Sequence, residues 1–220
     1  MDSNKVVDYH DTTLTPNTRC AYPLSHISNA LLPAVVTNHP SNIILLVCDA
    51  FGLLPPLARL TSQQAIFFFI NGYTSKIPGT EQGVTQPLPT FSACFGEPFL
   101  VHSPQVYGDM LAQKIEKHQS QVWLINTGWI KGPFGKGERI SITYSRAMIE
   151  AIHQGFLESD SIEWDILPYF KIKIPTSCPR VPSNILDPRV LAPSATEYDQ
   201  KLSQLYQDFC INYQKKRSPT

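Results

Sequence analysis

Neither sign of charge is in excess in these 220 residues. Eighteen Lys and Arg balance eighteen Asp and Glu, and only 16% of residues are charged. That argues against general affinity for nucleic acid or an anionic membrane surface, although a local anion site needs only a few cations. Long apolar runs are also missing. IILLVC (43–48) and IFFFI (66–70) are far shorter than the ~20 residues that cross a bilayer. Met1–Lys5 is polar, so no secretory leader is expected. There is no C-x-x-C, and the histidines at 10, 26, 39, 102, 118 and 153 show no ligand spacing, so no zinc site is expected. Five cysteines, an odd number without paired spacing, read as reduced thiols of a cytoplasmic protein. The phosphate-loop signature G-x-x-x-x-G-K-[ST] does not occur, and no internal repeat is visible.

What is present is 42% hydrophobic residues, enough for a core, and 19 prolines, well above the roughly 11 expected at about 5%. The prolines are interleaved with apolar residues, which indicates fixed turns in a packed chain rather than a linker. NIILLVCDA (42–50) reads as a strand buried on both faces at the centre of an α/β sheet. Thr61 and Gly72 bracket a short helix. Residues 77–90, rich in Gly, Thr and Pro, read as a long loop. Over 103–118 the spacing predicts a helix burying Val106, Met110, Leu111 and Ile115, and QVWLIN (121–126) reads as a second strand. RISIT (139–143) alternates like a half-exposed strand, and Ser145 reads as the cap of a helix that Gly155 ends. Thr196 and Asp199 resemble a capping box before a helix with Tyr198, Leu202, Leu205, Phe209 and Tyr213 as its buried stripe. Strands mixed with helices make the chain α/β, with a mixed sheet and flanking helices, and no boundary divides it.

Few residues stand out for chemistry. Arg19 reads as a surface ion-pair arginine or an anion contact. Arg139, beside the glycine-rich GWIKGPFGKGERI (128–140), reads as a hairpin-end arginine or part of a nucleotide site. Gly132 and Gly137 have phosphate-loop spacing, but Glu138 and Arg139 stand where Lys and Ser/Thr belong. Cys94 lies among Phe91, Ala93 and Phe95 with no histidine close by, and is expected to be a buried structural thiol rather than a nucleophile.

Several stretches together go further. VDYHDTTLTPNTRCAYP (7–23), CDAFGLLPPLARLT (48–61), GYTSKIPGTEQGVTQPLPTFSACFG (72–96), WLINTGW (123–129), GKGERISI (135–142), SRAMIEAI (145–152) and CPRVPSNILDPR (178–189) occur in this order. The chain resembles the C-terminal portion of ATP-dependent phosphoenolpyruvate carboxykinase along essentially its whole length. The resemblance implies a partial nucleotide-binding and lid domain over 1–220, with the family's phosphate loop, its metal-binding Lys, His and Asp, and its N-terminal domain absent.

The implied reaction converts oxaloacetate and ATP to phosphoenolpyruvate, ADP and CO2 in gluconeogenesis, with Mg2+ and Mn2+ whose ligands this chain lacks. Arg19 would bridge substrate carboxylate and nucleotide phosphate. Arg139 and Ile140 would hold the adenine end, and Ser145, in place of a family threonine, would also contact the nucleotide. Gly72–Thr90, with Lys76, Gly79, Thr80, Glu81, Gly83 and Thr85, would form a mobile lid that keeps water from the enolate. Pro16 and Gln86 replace two family glutamates. Expected partners are these small molecules and a complementing N-terminal chain, without nucleic acid or membrane. The isolated chain is expected to be inactive; the alternative is a non-catalytic remnant or accessory subunit that binds adenine nucleotide weakly.

Overall fold

The computed structural model describes residues 8, 11, 13, 21–33, 38–78 and 83–217. Residues 1–39 and 76–88 make one compact unit; residues 40–75 and 89–220 make the other. In the first, the described part holds one turn of 3-10 helix, Leu24–His26.

The second unit is α/β, built on a mixed five-stranded sheet. Its strands are β1 (Asn42–Val47), β2 (Leu57–Leu60), β5 (Gln121–Asn126), β8 (Trp164–Ile166) and β9 (Lys173–Pro175), in the spatial order β1-β5-β2-β9-β8. β1 runs parallel to β5; β2 is antiparallel to both β5 and β9, and β8 is antiparallel to β9. The buried interior strand is β5, with Trp123, Leu124 and Ile125 fully enclosed. The expected central position of 42–50 is therefore corrected. β1 ends at Val47 and lies at the sheet edge among the described residues, with Leu46 55% exposed. A continuous apolar run marks a strand but does not rank it within the sheet.

Helix α1 (Ser62–Asn71) forms where its sequence dictates. Thr61 accepts from the Gln64 amide, Gln64 Oε1 accepts from the Thr61 amide, and Gly72 ends the helix in the left-handed region. A Cβ at Gly72 would lie 1.7 Å from the Ser92 carbonyl oxygen, so glycine is required there on two counts. Beyond it, β3 (Tyr73–Lys76) pairs with β4 (Leu88–Phe91), so the loop expected over 77–90 ends in a strand.

Helix α2 (Pro104–His118) crosses α1 closely. A Cβ at Gly108 would meet Ile70 Cδ1 at 2.7 Å. Gly108 thus lies on the buried face beside Ile115, and the expected stripe is corrected: Val106 is 42% exposed and Met110 54%. An apolar count passes over a glycine that makes a close crossing possible.

Helix α3 (Ile142–His153) begins earlier than its sequence suggests. Ser141, not Ser145, is the cap, and its hydroxyl accepts from the Thr143 amide. Of RISIT, only Arg139 belongs to a strand, because that cap converts the alternating residues after it into a first helical turn.

Helix α4 (Ala195–Arg217) likewise uses Ser194, whose hydroxyl accepts from the Glu197 amide, while Asp199 binds Arg189 through both carboxylate oxygens at 2.9 Å. Its expected stripe does face inward. Phe209 is fully buried at the hub of five rings, with centroids of Tyr73, Phe170, Phe91, Phe68 and Phe67 at 5.0 to 5.7 Å. A close Lys216–Glu97 ion pair and an Asn212–Asn71 hydrogen bond hold its last turns. No helix among the described residues is long and apolar enough to cross a membrane.

Phe209→Ala is expected to lower stability by about 3–5 kcal/mol, as truncations of enclosed aromatics do. Ile211→Ala, at a 65% exposed position of the same helix, should stay within about 0.5 kcal/mol. Urea denaturation of both variants measures the difference.

Candidate functional site

Polar residues gather where β1 and β5 end. Asn126, fully buried, accepts through Oδ1 from the amides of Asp49 (3.0 Å) and Gly128 (2.8 Å), and donates through Nδ2 to the Leu54 carbonyl (3.0 Å). Asp49, also fully buried, accepts from the amides of Phe51 (3.0 Å), Leu53 (2.6 Å) and Leu54 (2.9 Å) and from the Tyr73 hydroxyl (3.0 Å). Burial pushes the Asp49 carboxyl up from the usual range, while these hydrogen bonds pull it back down. Ser75 adds a second tie between β3 and this loop, donating to the Cys48 carbonyl at 2.7 Å.

From this knot the chain runs into a small hairpin. Trp129 donates its amide to the Asp49 carbonyl, and β6 (Trp129–Ile130) pairs antiparallel with β7 (Glu138–Arg139). The hairpin settles what the two spaced glycines do. A Cβ at Gly137 would lie 2.2 Å from the Gly132 carbonyl oxygen, and the Gly137 amide donates to the Pro133 carbonyl at 2.7 Å. The pair closes a turn instead of lining a phosphate cradle with free amides.

Arg139 is exposed. Its Nε donates to the Thr127 carbonyl at 3.1 Å, and its guanidinium lies 5.5 Å from the Trp129 ring centroid. Phe134 meets the same indole edge-on at 5.6 Å. Glu138 pairs with Lys131 at 2.5 Å, so no carboxylate neutralises Arg139 among the described residues. Held by one hydrogen bond and one ring face, the guanidinium offers its other face to a planar ligand.

Ile140 is buried, and its amide is committed to the Gly128 carbonyl at 2.8 Å, which leaves only its carbonyl to meet a base edge. Ser145 lies buried one turn into α3, its hydroxyl donating to the Ser141 carbonyl at 3.3 Å. Of the lid residues, Gly72 shapes the foot of β3, Lys76 lies in that strand, Gly83 has a left-handed φ of +82° with open space around it, and Thr85 is exposed. Arg19, Gly79, Thr80 and Glu81 lie outside the described residues.

Cys94 is only half-buried, with a left-handed φ of +55°, and burial pushes its thiol up to about 11, which suits a packing residue and not a nucleophile. Sequence reasoning missed Asn126, Asp49 and Trp129. The signal available was an Asp and an Asn, each just after or at the end of an apolar strand and followed within three residues by glycine.

Fold and site define an α/β protein whose polar residues and one unpaired arginine collect where two parallel strands end. A family model described as phosphoenolpyruvate carboxykinase matches residues 1–184, and the chain belongs to that family. It is similar to proteins named phosphoenolpyruvate carboxykinase (ATP) from Pelobacter propionicus, at 49% identity over 95% of this chain and 39% of that protein, and from Dictyostelium discoideum, at 49% over 96% and 37%. The corresponding protein of Caldanaerobacter subterraneus is 47% identical over 97% of this chain and 40% of its own length. The chain thus spans about two fifths of these relatives.

Asp49→Asn places an NH2 group against backbone amides that now donate to a carboxylate. The expected cost is on the order of 2 kcal/mol or more, the scale of leaving buried donors unsatisfied. A denaturation midpoint unchanged from the parent chain would contradict the role of this knot.

Proposed function

We propose that the chain is the C-terminal, base-binding part of an ATP-dependent phosphoenolpyruvate carboxykinase. The observation that carries this reading is Arg139, stacked on Trp129 and without a carboxylate partner among the described residues at the polar end of the sheet, in a chain of this family. The relatives' names supply the reaction class, and the resemblance supplies its course. Oxaloacetate loses CO2, and the enolate oxygen attacks the γ-phosphate of ATP. Both steps concentrate negative charge, so fixed cations and excluded water serve them.

In this reading Arg139 packs on the adenine while the Ile140 carbonyl meets its edge. Ser145 supports the strand-to-helix turn from inside α3. Arg19 bridges substrate carboxylate and nucleotide phosphate, a role that suits a permanently charged planar fork. Residues 72–90 serve as the lid, with Gly72 and the β3–β4 pair as its feet. Residues 1–220 are read as one partial C-terminal domain, working in the cytoplasm in gluconeogenesis.

Mg2+ and Mn2+ belong to the family's chemistry by resemblance. Among the described residues no three His, Cys, Asp or Glu side chains converge to hold a metal ion, so they do not fit that role and no step is assigned to a metal here. Phosphate grip falls to residues outside these 220, whether in the same protein or in a complementing N-terminal chain. A second reading, a non-catalytic remnant or accessory subunit, draws on the Gly137 amide, which is committed to the Pro133 carbonyl and so does not face a phosphate at this turn.

Two outcomes follow. The purified 220-residue chain should not fix bicarbonate onto phosphoenolpyruvate with ADP and Mn2+; measurable turnover would refute the division of labour. ATP and adenosine should bind weakly and with similar affinity by calorimetry, and Arg139→Ala should weaken both by about tenfold, the loss of one interaction worth ~1.4 kcal/mol. Equal affinity in the variant would remove Arg139 from the site.

A further inference from the structure

At the opposite end of β5 a different cleft opens, with a volume of about 430 Å3. Arg59, Lys171 and Lys173 line it together with Ser62, Ser120 and Gln121, and no acidic residue does. Arg59 lies in β2, between two strands, and is half-buried. It donates to Gln121 Oε1 and lies 5.7 Å from the Trp123 ring centroid, but no carboxylate pairs with it. Its direct cross-strand partner in β9 is Lys173. Like charges directly opposite on neighbouring strands repel. Here two cations are opposed, Lys171 stands two residues away, and none of the three has an ion-pair partner among the described residues.

The first turn of α1 borders the same cleft. Its capping box commits the Gln64 amide to Thr61, while no acceptor within the described protein takes the amides of Ser62 and Gln63. Free amides at a helix start carry positive potential and bind tetrahedral oxyanions.

We propose that this cleft binds a phosphate or diphosphate group of a small metabolite, held by Arg59, Lys171, Lys173 and the Ser62 amide at the start of α1. A multiply charged oxyanion relieves the Arg59–Lys173 repulsion and uses the open amide at once, which a monovalent anion does less well. The site lies at the start of β5, about 20 Å from the Arg139 end at ~3.3 Å per strand residue, and shares no residue with it. It does not rest on the reading of Arg139 as a base contact.

The test is a titration of the isotope-labelled 220-residue chain with inorganic pyrophosphate, followed by amide NMR. Shifts should centre on Ser62, Gln63 and the Arg59 side chain. Lys171→Ala/Lys173→Ala, at two exposed positions that leave the fold intact, should weaken binding about tenfold or more, and Arg59→Gln at least as much. No shifts, undiminished binding in the double variant, or shifts confined to residues 127–140 would overturn the proposal. Adenosine added in separate spectra reports on the Trp129–Arg139 end, so either site can fail while the other stands.

Discussion

Asp49 has no exposed surface and no ion-pair partner among the described residues, yet it lies where β1 ends and accepts four hydrogen bonds from three amides and a phenol. Desolvation disfavours its charge and the donors favour it, so the carboxylate persists only while the loop 51–54 keeps its shape. The dependence is mutual, because those amides have no other buried acceptor. Asn126 extends the arrangement to β5 by binding the Asp49 amide, the Gly128 amide and the Leu54 carbonyl. Gly128 then approaches Asp49 so closely that a Cβ would lie 2.2 Å from the Asp49 carbonyl oxygen. Trp129 is hung directly on that contact, and Arg139 is hung on Trp129. The exposed end of the site therefore takes its position from a buried polar pair several residues away.

How much of this was legible in the sequence depended on whether the signal was local. Helix α1 announces both ends, since Thr61, Gln64 and Gly72 act within one turn of themselves. QVWLIN becomes β5 with the boundaries its β-branched and apolar residues suggest. Signals that need a neighbour were lost. β1 reads as central because nothing in NIILLV says that, among the described residues, only one strand flanks it. The buried side of α2 turns on Gly108, whose contribution is an absent side chain against Ile70. Ser141 and Ser145 offer the same hydroxyl, and only the backbone decides that the first caps α3 while the second is folded into it. In the site, Arg139 was visible because it follows a glycine turn. Its stacking on Trp129 was not, because that contact crosses a hairpin whose register the sequence does not state.

The spaced glycines of residues 128–140 show why spacing alone is a poor guide to phosphate chemistry. Phosphate loops need glycine because amides must face the ligand. Gly137 needs it because a Cβ there would lie 2.2 Å from the Gly132 carbonyl oxygen, and Gly132 because its φ is +126°. The two demands give the same pattern of letters with opposite fates for the amides. In this hairpin the Gly137 amide is consumed within the turn.

What is left at the two ends of β5 differs in kind. Arg139 uses one edge on a carbonyl and one face on an indole, so its remaining face is flat, cationic and open to solvent. That surface suits a planar, weakly charged ring more than a compact anion, whose charge would be served better by several converging donors. At the other end Arg59, Lys171 and Lys173 converge around a free helix amide, and Arg59 and Lys173 are opposed without a counter-ion among the described residues. A stacking surface tolerates a single cation because little charge must be matched; a group of three is tolerable only where counter-charge arrives from outside the chain. The same strand thus separates a flat cationic face from a cleft lined by several cations.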